Sequence, residues 1–73
     1  MKITKYELQE GQKIRLQWKN KIFEGVIKGN PKEEAKKSAQ LTRGMFISIP
    51  IITDLGTIKQ MPYTNRGIYE LIK

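Results

Sequence analysis

GQKIRLQWKNKIFEGVIKGNP, residues 11–31, alternates apolar and polar side chains, turns once and alternates again. In Lys13-Ile14-Arg15-Leu16-Gln17-Trp18, one face holds Ile14, Leu16 and Trp18, the other Lys13, Arg15 and Gln17. This is the period-two pattern of a strand with one wet side. Lys19-Asn20 follows, and asparagine tolerates the left-handed geometry of a tight hairpin. Ile22-Phe23-Glu24-Gly25-Val26-Ile27-Lys28 then runs back, and Gly25 within it suggests a bulge or sharp bend of the kind that closes barrels. The stretch therefore predicts a β-hairpin. It also carries five Lys or Arg side chains against one carboxylate, enough to form a surface that holds something acidic.

Gly29-Asn30-Pro31 stops the second strand. Asn30-Pro31-Lys32-Glu33 reads as a helix start, with Asn at the cap, Pro in the first helical position and Glu at the third. Residues 33–40 are mostly good helix formers. Their apolar contacts reduce to Ala35, Ala39 and Leu41, and packing rather than propensity holds most helices in place. A short helix or mobile loop over about residues 31–41 is expected, leaving the barrel as an excursion with Lys36, Lys37 and Arg43 at its positive end.

Gly44 marks the return to strand. Met45 to Thr53 is rich in Ile, with Met45, Ile47, Ile49 and Ile51 in one apolar row. Pro50 cannot donate a ladder hydrogen bond, so the strand is expected to lie at an edge there or to be bulged. Asp54-Leu55-Gly56 is a hairpin turn with Gly where φ is positive. Thr57 to Tyr63 returns, Pro62 ends it, Thr64-Asn65-Arg66-Gly67 turns, and Ile68 to Ile72 forms a last strand. Five short strands are best served by a small closed barrel, because closure removes edges that invite aggregation. The expectation is a mainly β, five-stranded small barrel, a single domain spanning residues 1–73.

The order of pieces resembles the SH3-like small barrels, and among them the Sm-like RNA-binding proteins. In those proteins a first motif runs strand, turn with Asn or Gly, then a strand ending in a form such as F-x-G-x-I-x-G; here it is IRLQWKNKIFEGVIKGN. A second motif places an R-G turn before a final apolar strand; here it is NRGIYELIK. The resemblance covers roughly half of the chain and implies an SH3-like barrel. It also implies that Arg66, in the turn before the last strand, contacts base or phosphate. The chain departs from the Sm-like pattern in having only Met1 to Gln9 ahead of the first hairpin and in carrying PKEEAKKSAQL between the hairpins.

Composition narrows function. A chain of 73 residues buries only about 60% of the surface its unfolded state exposes, and such a core supplies only roughly 3–5 kcal/mol. With no Cys and no His, the thiolate, the commonest metal ligand and the usual general base are missing together. The carboxylates form no recognised catalytic pairing, and Gly25-Val26-Ile27-Lys28-Gly29 lacks the spacing of a phosphate-binding loop. No enzyme, metal or cofactor is expected. Met1 to Glu7 has no signal-peptide core, and residues 45–52 fall short of the ~20 that span a bilayer, so a soluble cytoplasmic protein is expected.

The net charge is +7, and residues 1–43 hold eleven cations against five glutamates. Such a concentrated field favours polyanions. The expected function is binding of RNA or DNA through a cationic barrel face formed by Lys13, Arg15, Lys19, Lys21 and Lys28, extended by Lys36, Lys37 and Arg43. Trp18 could stack on bases or continue the Ile14/Leu16 row into the core. Tyr63, Asn65 and Arg66 are a second candidate cluster, since an aromatic ring, an amide and a guanidinium on a loop read unpaired bases; the alternative is an ordinary turn. Tyr6 and Tyr69 are expected in the core or at the barrel rim. Two other classes compete. One is a protein-interaction module, of phage or mobile-element type, that docks on an acidic host protein and offers strand 45–53 as an edge. The other is a homo-oligomer that holds a nucleotide-like ligand between subunits.

Overall fold

The computed structural model describes residues 1–72. Its strands are β1 (Lys2–Ile3), β2 (Lys13–Trp18), β3 (Lys21–Ile27), β4 (Ser48–Ile52), β5 (Ile58–Pro62) and β6 (Ile68–Leu71), with helix α1 (Pro31–Thr42) between β3 and β4. Six strands form where five were expected, β1 being the one the sequence did not announce. All lie in one antiparallel sheet of order β1-β6-β2-β3-β4-β5. The sheet is open, which corrects the expected closed barrel. Lys2 and Ile3 pair with Glu70 and Tyr69, so the chain's own start takes the edge of β6 that closure onto β5 would need.

The first hairpin follows its sequence pattern. Trp18 faces Lys21 across the turn, and Lys19 and Asn20 both have positive φ, 47° and 66°, the geometry of a two-residue turn that matches strand twist. The expected bulge at Gly25 is absent, because the register from Lys13↔Val26 to Trp18↔Lys21 is unbroken. Gly25 serves a close approach instead. A Cβ there would stand 2.5 Å from the Ile52 carbonyl oxygen, so any side chain would push β4 away from β3.

In β4 the apolar row holds for Ile49 and Ile51, both fully buried. It fails at Met45, which is 89% exposed in the loop before the strand. β4 is paired on both sides, with β3 and β5, so it is no edge; β5 is. Pro50 is accommodated because its carbonyl faces β3, accepting from the Lys28 N–H at 3.1 Å, and its nitrogen faces the same way. Pro50 has no N–H to return that bond, which the last position of the β3–β4 ladder tolerates. The inward rows build the core from Ile14, Leu16, Ile27, Ile49, Ile51, Met61 and Tyr69, each contributing roughly 1.5–3 kcal/mol by burial. Tyr69 is thus a core residue, whereas Tyr6 is 65% exposed.

Helix α1 is a docked helix and not a mobile loop. Asn30 caps it, its side-chain oxygen accepting from the N–H groups of Lys32 and Glu33 at 3.0 and 3.2 Å, with Pro31 in the first turn. Pro31 and Ala35 are buried, but Leu41 is 86% exposed. Hydroxyls replace the missing apolar contact. Ser38 Oγ accepts from Ser48 N–H at 3.0 Å, and Thr42 Oγ1 lies 3.0 Å from the Phe46 carbonyl. These bonds hold the helix to β4 and fix the loop that leads into it. No helix among the described residues is long and apolar enough to cross a membrane.

Candidate nucleic-acid interface

The register sorts the expected cations into different places. On the outer face, Arg15 of β2 stands between Glu24 of β3 and Glu70 of β6, and its guanidinium lies 3.4 Å from Glu24 Oε1. Lys2 of β1 pairs with Glu70. Across four strands the row reads Lys2, Glu70, Arg15, Glu24, with signs that alternate. Lys13, one row along, is 3.9 Å from Asp54. Three cations and three carboxylates thus share this face, and its local field is small despite the charge of the chain.

A different arrangement forms at one end of the sheet. Register sets the end of β1, the β2–β3 turn and the start of β6 at one end of the sheet. It sets the start of β4 and the end of β5 toward Lys28 instead, and the short connection from Pro62 to Ile68 and a shared groove bring these two beside Trp18. Four segments converge there: residues 5–7, 18–21, 43–47 and 62–67. They carry Lys5, Lys19, Lys21, Arg43 and Arg66 against the single carboxylate of Glu7. They also carry Tyr6, Trp18, Phe46 and Tyr63. A groove of about 300 Å³ runs between Trp18, Lys19, Phe46, Pro62 and Tyr63. A second, of about 400 Å³, is lined by Lys5, Tyr6, Asn65 and Ile68 among others. Lys5 joins the two, its ammonium 4.9 Å from the Tyr63 ring centre and 5.2 Å from that of Tyr6. Lys19 lies 5.4 Å over Trp18. Ammonium groups over ring faces gain from the ring quadrupole and hold the rings in place.

Buried groups position this end. The Tyr69 hydroxyl donates to the Pro62 carbonyl at 2.6 Å and accepts from the Thr64 N–H at 2.9 Å. It therefore ties the exit of β5 to β6, and with it Tyr63. Burial pushes the Tyr69 hydroxyl up to about 12; the Thr64 bond opposes this in part and Tyr63 adds to it. Burial also raises Tyr63, with Tyr6 adding a smaller push. The following turn is closed by Arg66 N–H donating to Thr64 Oγ1 at 3.2 Å. At Gly67 a Cβ would meet Leu16 Cδ1 at 2.6 Å, so a side chain there would displace the buried Leu16.

Of the expected site residues, Trp18, Lys19, Lys21, Arg43, Tyr63, Asn65 and Arg66 fall on these four segments. Trp18 is half-buried, packing its body on the core while a face borders the groove, so both readings of it hold in part. Lys13 and Arg15 lie on the charge-compensated outer face. Lys28 follows β3, at the end away from the hairpin turn, its N–H bonded to the Pro50 carbonyl. Lys36 and Lys37 are exposed on α1, Lys37 lying 3.8 Å from Glu34. The sequence reading missed Lys5, Tyr6 and Phe46. Phe46 lies in the loop before β4 and not in the strand expected from Met45 to Thr53, and its signal is its even position, off the apolar row of Ile47, Ile49 and Ile51. No protein-family model, curated protein or solved structure matches this chain.

Proposed function

We propose that this protein binds single-stranded RNA or DNA, without catalysis, at the aromatic and cationic end of its sheet. The observation that supports it is a pair of grooves lined by Tyr6 in one and Trp18, Phe46 and Tyr63 in the other, with Lys5 reaching rings of both and Lys19 over Trp18. Bases stack on such rings irrespective of sequence, at ~1–3 kcal/mol each, while nearby cations track the backbone and release counterions. Asn65 and Arg66 supply amide and guanidinium groups beside the second groove, fitted to base edges or phosphate. The SH3-like kinship of the sheet belongs to this proposal; the order hairpin, helix, hairpin, final strand supports it.

Trp18 is the only tryptophan, so its fluorescence reports the groove directly. Titration with single-stranded oligonucleotides at low salt is expected to quench it saturably. The apparent affinity should fall linearly with the logarithm of salt concentration. Absence of both quenching and salt-sensitive binding would refute the proposal.

A further inference from the structure

The charged row on the outer face of β1, β6, β2 and β3 is solvent-facing, and two exposed isoleucines, Ile22 at 60% and Ile68 at 56% exposed, sit with Gln17 in the next row toward the β2–β3 turn. A hollow of about 200 Å³ lies there between Lys2, Arg15, Gln17, Ile22, Ile68 and Glu70. We infer that this face is a two-fold interface with a second copy of the same chain. The pattern of charge selects that occupant. Laid against itself in reverse order, the row Lys2, Glu70, Arg15, Glu24 sets Lys2 against Glu24 and Glu70 against Arg15, then the same two contacts again. Every pair is of opposite sign. An isologous contact requires this self-complementarity, and complementary charge fixes register and suppresses other partners.

The chain's net charge of +7 does not oppose the contact at short range. Lys2, Lys13 and Arg15 are balanced by Glu24, Glu70 and Asp54, so among these described residues the face carries no net charge. Charge outside the contact is screened beyond about 8 Å at physiological salt. Ile22 and Ile68 lose water on association and supply the apolar part. The sign pattern also sets the direction of the two-fold axis. Reversing the row across the strands while keeping strand direction demands an axis parallel to the strands, so the aromatic ends of both copies point the same way. An axis across the strands would set Lys2 on Lys2 and Arg15 on Arg15.

Sedimentation of the full chain over a range of concentrations tests this without any nucleic acid. A reversible monomer–dimer equilibrium is expected at near-physiological salt. Arg15→Glu alone sets Glu against Glu70 of the other copy, and Glu70→Arg alone sets Arg against Arg15, so each variant is expected to remain monomeric. Mixed, the two are expected to form a one-to-one heterodimer, because every facing pair is again opposite in sign. Should either variant fail to fold, Ile68→Lys replaces it as a monomeric form, since that exposed side chain contributes little to the core. A wild type that stays monomeric at every concentration overturns the inference. So does a dimer that survives Arg15→Glu or Ile68→Lys, or a mixture of folded single variants that does not associate.

Discussion

On the outer face of the sheet, Lys2, Lys13 and Arg15 each have a carboxylate nearby; at the end around Trp18, Lys5 and Lys19 face aromatic rings instead. The two regions draw on the same cation-rich stretch of chain. What separates them is the cross-strand partner. A cation opposite a glutamate forms a ladder whose field dies within a few ångströms. One held over a ring keeps its full charge and also presents the ring. Charge density along the chain is therefore a poor guide to where a polyanion would sit.

The largest effect expected is on the ringed end. Tyr6→Ala with Phe46→Ala removes two exposed rings that the core does not need. At ~1–3 kcal/mol per stacked base, affinity for a single-stranded oligonucleotide should fall roughly a hundredfold or more with thermal stability nearly unchanged. Truncating Ile22 on the other region should leave that affinity as it was; equal losses would erase the distinction between the regions.

Tyr69→Phe comes next. It leaves the Pro62 carbonyl and the Thr64 N–H without their buried partner, and should lower unfolding free energy by about 1–3 kcal/mol. The pH dependence gives a second reading. Folding raises the Tyr69 pKa from 10.0 to about 12, so the wild type holds this contribution below pH 10 and loses it as pH climbs toward 12. The Phe variant should lack that component of alkaline destabilisation, measured as melting temperature against pH.

Charge reversal sharpens the comparison. Lys5→Glu with Lys19→Glu should weaken oligonucleotide binding roughly tenfold or more and flatten its salt dependence by at least about 1.4 in the log–log slope, at ~0.7 per cation lost on a single strand. Lys13→Glu, beside Asp54, should do much less. A larger effect from Lys13 would place the polyanion on the outer face after all. The smallest effect is local. Arg43 holds φ 56° at the helix end and supports the loop carrying Phe46. Arg43→Gly should relieve left-handed strain and raise stability by about 0.5–1 kcal/mol, seen as a small rise in melting temperature.

Local rules made much of this legible. The first hairpin, its Lys19-Asn20 turn, the Asn30 cap and the Asp54-Leu55-Gly56 turn all rest on contacts between residues a few positions apart. Where the sequence misled, the cause was a distant partner. Nothing near Gly25 announces the Ile52 carbonyl that excludes a side chain. Nothing near Met1 announces that Lys2-Ile3 will pair with Glu70 and Tyr69 and leave the sheet open. Nothing near Lys5 announces Tyr63.

By itself the sequence determined that the chain is mainly β, where its turns and helix lie, and that it carries a strong positive charge, because alternation, capping and composition act within a few residues. Only the tertiary structure decided that the sheet stays open, that the outer cations are matched by carboxylates, and that four aromatic rings and their ammonium groups meet at one end. Those outcomes depend on strand register and on the path of the short β5–β6 connection, which join residues that the chain keeps far apart.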